Sequence, residues 1–284
     1  MVDLLNDGND KGDIMSIRDR IGVDCARKLS VEEAVQWASD NDIKYIDCQI
    51  DIAPNALASF DEGRCGPIRE ALAITGVQLG LHTLSAVNIA EISPFVSEAA
   101  DDYLRSYIDA AKRLNSGYVE VHAGYHFTTD RELRMKAGLE RLKRATAYAE
   151  EQGVLLLLEN LNWEPDLAEV HYLPHTVEEC HYYFDAIVSP AFKWSFTINH
   201  ATLVPEGIAG FLEGMPTERL YLVRIADSNG EYELHMYPGT GVIDFADTFR
   251  QIEDTGFTGH YMSAYGSLDD MLQGRDYLVD HWHP

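Results

Sequence analysis

The 284-residue chain is poor in positive charge: 22 Lys and Arg stand against 47 Asp and Glu, a formal net charge of -25. Phosphate backbones and anionic lipid surfaces are bound mainly through Lys and Arg, so neither nucleic acid nor membrane is an expected partner. Cysteine is scarce as well. Cys25, Cys48, Cys65 and Cys180 form no Cys-x-x-Cys pair, which argues against a zinc knuckle or a disulfide framework and fits a reducing cytoplasm. No apolar run approaches the ~20 residues of a membrane span, and the opening MVDLLNDGNDKGD lacks the basic and apolar segments of a secretory leader. The expectation is a cytoplasmic protein with a polar arm over residues 1–18 and one folded domain over 19–284. A Gly-x-Gly-x-x-Gly fingerprint is also missing, and PGTG at 238–241 is weak as a phosphate cradle, so no nucleotide cofactor is expected.

What is present is a repeated alternation of short apolar runs with segments of helical period. Candidate strands are RIGVD (20–24), IKYIDCQ (43–49), VQLGLHT (77–83), GYVEVHA (117–123), VLLLLEN (154–160), KWSFTIN (193–199), LYLVRIA (220–226) and GHYMSAY (259–265). Ser30 with Glu33, and Thr176 with Glu179, have the spacing of capping boxes. Gly76, Gly153 and Gly256 mark helix ends just before a strand. Eight such units without a dividing linker predict an α/β fold, a single (β/α)8 TIM barrel; an open doubly wound sheet is the alternative.

In such a barrel the active site lies where the strands end, and these ends are polar. They carry Asp24, Asp47 and Asp51, His82, His122, Glu159 with Asn160 and Asn162, Asn199 with His200, Arg224 with Asp227, and Tyr265. Glu159 is the most conspicuous, because four leucines precede it and an unpaired carboxylate is costly to bury. Desolvation there is expected to raise its pKa toward working pH. Glu233 and His235 stand two apart before the PGTG turn, so an extended backbone points both to one side. Trp163, Tyr237 and Tyr265 add rings that suit a sugar face or an aromatic ring. Few Lys or Arg accompany them, which favours a neutral substrate.

The segments LGLHT, VEVHAG, LLLLEN, TINHA and RIADSNGEYELHMYPGTGVIDF make the chain, from about Arg20 onward, resemble the xylose isomerase-like superfamily of TIM barrels. That superfamily contains sugar isomerases and epimerases, dehydratases and endonuclease IV. The resemblance implies a divalent metal on acids and a His or Gln from strands five to eight. Here those positions are Glu159, Thr197, Arg224 and Ala264, and only the first is a hard-cation ligand. It also implies two further zinc-type groups: His82, His122 and Glu159, and His200, Glu233 and His235. Two His and a carboxylate are a known catalytic zinc set.

The expected function is proton abstraction beside a carbonyl or hydroxyl-bearing carbon, as in an isomerase, epimerase or lyase, on a small neutral polyhydroxylated or aromatic-bearing substrate. Glu159 is the expected base, with His122, Arg224 and His235 as catalytic partners. His82, Asn160, Asn162, Trp163, Asn199, Asp227, Tyr237 and Tyr265 are the expected substrate contacts. One divalent ion, zinc or manganese, is expected on His200, Glu233 and His235. A DNA repair nuclease is opposed by the charge; a sugar-binding barrel without catalysis stays as the alternative, and a homo-oligomer is left open.

Overall fold

The computed structural model describes residues 16–283. Eight parallel strands close into a barrel: β1 (Ile21–Ala26), β2 (Tyr45–Cys48), β3 (Gln78–His82), β4 (Tyr118–Val121), β6 (Leu155–Glu159), β8 (Phe192–Thr197), β9 (Leu220–Ile225) and β10 (His260–Ser263), in that order around the ring. Each expected strand is one of them, and the barrel excludes the open sheet. Two short strands, β5 (Gly124–His126) and β7 (His171–Leu173), pair antiparallel above the ring. They were not expected: Gly124, at φ +98°, turns the chain out of β4 so soon that GYVEVHA and GYH read as one run.

The main core lies between the strands' outer faces and the helices, where Trp194, Phe192, Tyr183, Phe249 and Tyr261 are fully buried. The helices are bounded as their sequences demand. Ser30 and Glu33 close a reciprocal capping box, and Gly76 and Gly153 end their helices in the left-handed conformation. Thr176 caps Glu179, but the Glu179 carboxylate does not return the bond; it accepts from the His175 amide and from Arg131. The arm expected over residues 1–18 lies outside the described residues as far as residue 15, and Ser16 then caps a helical turn, Ile17–Arg20, that packs onto the barrel.

Inside the barrel, alternation sorts side chains by height. Tyr118, Glu120 and His122 rise along one face of β4 and the residue after it, while Val119 and Val121 face the helices. Leu157, Leu222 and Met262 join Tyr118 as an apolar floor. Above that floor the interior is charged.

Candidate active site at the barrel mouth

The upper layer holds two groups with the same composition. In the first, the ends of β3, β4 and β6 bring His82, His122 and Glu159 together. The Nε2 atoms of the two imidazoles face each other at 3.0 Å, and His122 Nε2 lies 2.9 Å from Glu159 Oε2. The other oxygen, Oε1, accepts from the Thr197 hydroxyl at 2.5 Å. Burial opposes the charge on Glu159, but hydrogen bonds from His122 and His82 outweigh it and hold the carboxyl well below its usual range. The strand delivers the carboxylate from a dry core, as expected; the expected rise in pKa is reversed, because the rim around it is lined with imidazoles. For His82 burial is likewise outweighed, by Glu120 and Glu159, and its pKa is raised to about 9. His122 goes the other way: burial lowers it.

In the second group, His200 follows β8, and Glu233 and His235 ride on the segment after β9. Both imidazoles direct Nε2 at Glu233 Oε1, at 3.0 Å from His200 and 2.7 Å from His235. Their Nδ1 atoms point at carbonyls, that of His200 at Asn160 O (2.8 Å) and that of His235 at Ala264 O. Spending each Nδ1–H on a carbonyl leaves Nε2 either a second N–H or a lone pair aimed at a cation. Burial pulls the His200 pKa down, but Glu233 more than restores it, to about 8. Burial works against the Glu233 carboxylate too, yet His200 and His235 bring its pKa down to about 2. In each group the ligand atoms lie within 4.8 Å of one another, so either could hold a metal ion. Glu233 Oε2 is buried without a partner, so the second donor set is not saturated by the protein itself.

Below them lies a third layer. The Arg224 guanidinium, its side chain 3% exposed, meets Asp24 Oδ2 at 2.5 Å, Asp47 Oδ2 at 2.8 Å and Glu120 Oε2 at 2.7 Å. Its Nε is 3.8 Å from Glu159 Oε1. Burial, opposed by Arg224, carries the Asp47 pKa up to about 7; for Asp24, burial is outweighed by Arg224 and the pKa falls.

The mouth is a cleft of about 350 Å³, to which His82, His122, Glu159, Asn162, His200, Arg224, Glu233 and His235 all contribute. The other expected contacts do different work. Asn160 clamps the Thr197 backbone, Nδ2 donating to its carbonyl at 3.0 Å and Oδ1 accepting from its amide at 2.9 Å. Asp227 accepts the amides of Ser228, Gly239, Gly241 and Ile243 at 2.8–3.1 Å and so ties down the turn. That close wrap explains Gly241, where a Cβ would meet Ser228 O at 2.1 Å. Asn199 is buried at 1% exposure, with neither amide atom partnered. Trp163 lines a separate outer cleft with His126 and His171. Tyr237 crosses Tyr265, whose hydroxyl points at Gly274 among the helices rather than into the mouth. Residues not foreseen as mouth lining include Gln49, Glu164 and Tyr172. Glu120 was missed as well, although a carboxylate two residues from His122 within an alternating strand marks an inward position.

Comparison with known proteins agrees with this geometry. Residues 35–280 match the model of the xylose isomerase-like TIM barrel family. The chain belongs to that family. Among curated relatives, it is similar to fructoselysine 3-epimerase of Shigella flexneri, 26% identical over 164 residues, which cover 56% of this chain and 56% of the epimerase. The chain thus matches little more than half the length of that relative. It is also similar to an uncharacterised protein of Methanocaldococcus jannaschii, 23% identical over 214 residues, 72% of this chain and 70% of the other. Among solved structures, a D-tagatose 3-epimerase-like protein superposes with a TM-score of 0.80 at 20% identity, covering 92% of this chain and 96% of that one. D-psicose 3-epimerase from Clostridium cellulolyticum H10 superposes with a TM-score of 0.76 at 14% identity, over 92% and 97%.

Proposed function

We propose that the protein is a sugar isomerase or epimerase that moves a proton on a carbon next to a carbonyl, with Glu159 as the base and a small neutral polyhydroxylated substrate in the barrel mouth. Glu159 carries this reading: a buried carboxylate kept ionised by His122 and His82, opening onto a cleft of about 350 Å³, within the range of small-molecule sites. Similar proteins named as 3-epimerases support the reaction class.

A carboxylate with a lowered pKa is always in the base form but is a weak base, so proton abstraction depends on stabilising the oxyanion that forms. The imidazolium forms of His82 and His200, with pKa values of about 9 and about 8, place that positive charge in the mouth. Glu159 takes the proton from carbon, the C–H electron pair moves toward the carbonyl oxygen, and the positive charge of these imidazolium groups stabilises the resulting enediolate. His122, neutral because burial lowers its pKa, can carry a proton between Glu159 and the substrate oxygen. His235, on the facing segment, is the acid that returns a proton. A divalent ion on His200, Glu233 and His235 would need both imidazoles neutral, so it would take the place of the His200 imidazolium and the His235 proton and polarise the substrate carbonyl itself. Arg224 is reassigned from oxyanion contact to a role below the substrate, since its Nη atoms are engaged by three carboxylates.

Elimination is the second reading. Ala264, rather than a carboxylate, follows the last strand, and loss of a hydroxyl protonated by His235 needs only one base. Incubating the protein with a panel of ketoses in deuterated water separates the readings by nuclear magnetic resonance. Deuterium at the carbon beside the carbonyl with a new sugar supports isomerisation or epimerisation; a dehydrated product supports elimination. Tight binding with no exchange from any bound sugar defeats both and leaves a sugar-binding barrel.

A further inference from the structure

The metal position that the family resemblance implies on strands five to eight does not fit this chain. After Glu159 it offers the hydroxyl of Thr197, the guanidinium of Arg224 and the methyl of Ala264, and none of these replaces a hard-cation oxygen ligand. The barrel axis nevertheless has a cation. Arg224 reaches down from β9 among carboxylates from three other strands, Asp24 of β1, Asp47 of β2 and Glu120 of β4.

These carboxylates form a built cage rather than a chance cluster. Each gives one oxygen to the guanidinium and has the other fixed by a separate donor. Asp24 Oδ1 accepts from the Ala26 amide at 2.7 Å, Asp47 Oδ1 from the Tyr118 hydroxyl, and Glu120 Oε1 from the Ser195 hydroxyl at 2.5 Å. Gly80 leaves space for one of these links: a Cβ there would lie 2.2 Å from Asp47 Oδ1 and 2.3 Å from the Tyr118 ring. The planar fork of a guanidinium suits several carboxylates at once, whereas an ammonium is a single point. Truncating it would strand three acids inside a dry barrel, with their oxygens converging on the space it vacates.

We propose that Arg224 is the protein's resident axial cation, that Asp24, Asp47 and Glu120 are the cage built to hold it, and that exchangeable metal is confined to the histidine groups above. The cage is independent of which reaction the mouth carries.

The test is a stability cycle on the full-length protein. Arg224→Met should lower the melting temperature by on the order of 10 °C, because breaking a buried pair from one side leaves uncompensated charge. Removing two carboxylates along with the cation, in Arg224→Met/Asp47→Asn/Glu120→Gln, should recover at least half of that loss. Arg224→Ala, which opens space, should be stabilised saturably by Ca²⁺, a hard ion that prefers oxygen to imidazole ligands. The same ion should do nothing for the wild type or for Arg224→Ala/Asp47→Asn/Glu120→Gln. If Arg224→Met does not fold, the triple variant still decides: a folded triple variant supports the cage, and one that also fails overturns it. The proposal is likewise overturned by a triple variant no more stable than Arg224→Met, or by equal Ca²⁺ responses with and without the cage.

Discussion

The mouth contains two His, His, carboxylate groups of the same composition, supported in opposite ways. His82, His122 and Glu159 sit on or directly after three strands of the barrel, every side chain less than 10% exposed. In the other group, only His200 is buried; Glu233 is 26% and His235 39% exposed, on a segment held by Asp227 and the PGTG turn. A group locked by the barrel hydrogen bonds suits work that needs fixed geometry. One that straps a loop across the opening suits exchange of an ion or of substrate. The same donor atoms thus have different prospects because their backbones differ in freedom.

The widest separation should appear in turnover. Glu159→Gln keeps the side chain's shape and removes the base, so substrate deuterium exchange should fall by roughly 10²–10⁴-fold. Glu233→Gln should cost less. Equal losses would erase the functional distinction between the two groups, and full activity in Glu159→Gln would move the base elsewhere.

Metal content gives the next contrast. His235→Ala should release about one equivalent of zinc or manganese, read by elemental analysis after gel filtration, with at least a ~10-fold loss of affinity. His82→Ala should retain that equivalent. The reverse pattern would assign the ion to the strand-borne group.

A smaller effect should be seen in the pH dependence of urea unfolding in metal-free protein. His200 has a raised pKa, about 8 against 6.5 for an ordinary histidine, so its contribution is complete below pH 6.5 and is lost as the pH rises through 8. The size is about 2 kcal/mol. Glu233, lowered to about 2 from 4.5, has the opposite sign: its contribution is present above pH 4.5 and disappears as the pH falls toward 2. His200→Gln should flatten the alkaline limb, and an unchanged limb would show that the ion pair with Glu233 does not form in solution.

The smallest effect belongs to a residue outside both groups. The Tyr265 hydroxyl is buried without a partner, so Tyr265→Phe should not destabilise the protein, and should raise its stability by up to ~1 kcal/mol by removing that unpaired group, with turnover intact. A marked loss of activity would bring Tyr265 back into the mouth as the substrate contact its sequence position suggested.

The fold was readable in the chain because local rules agree with the global one. Apolar runs recur eight times, capping residues and terminal glycines bound several of the helices between them, and each is set by neighbours within a few residues. The strand-end residues were legible for the same reason: His82, His122, Glu159, Arg224 and His200 follow from where each strand stops, and the barrel gathers those stops at one rim. What periodicity cannot express is how far a side chain reaches and which partner it meets. Asp227 and Asn160 sit at the rim as expected but turn to backbone groups, because nearby amides and carbonyls needed partners. Glu120 was hidden as a member of an alternating strand, Asp47 was seen at its strand end but not as a partner of Arg224, and Arg224 looked like a group facing substrate. Their meeting depends on closing a barrel that brings β1, β2, β4 and β9 within one guanidinium's reach. Sequence determined which residues point inward, through an alternation fixed by the backbone. Only the closed barrel decided which charges share the interior, because electrostatic pairing acts through space between residues up to 200 positions apart.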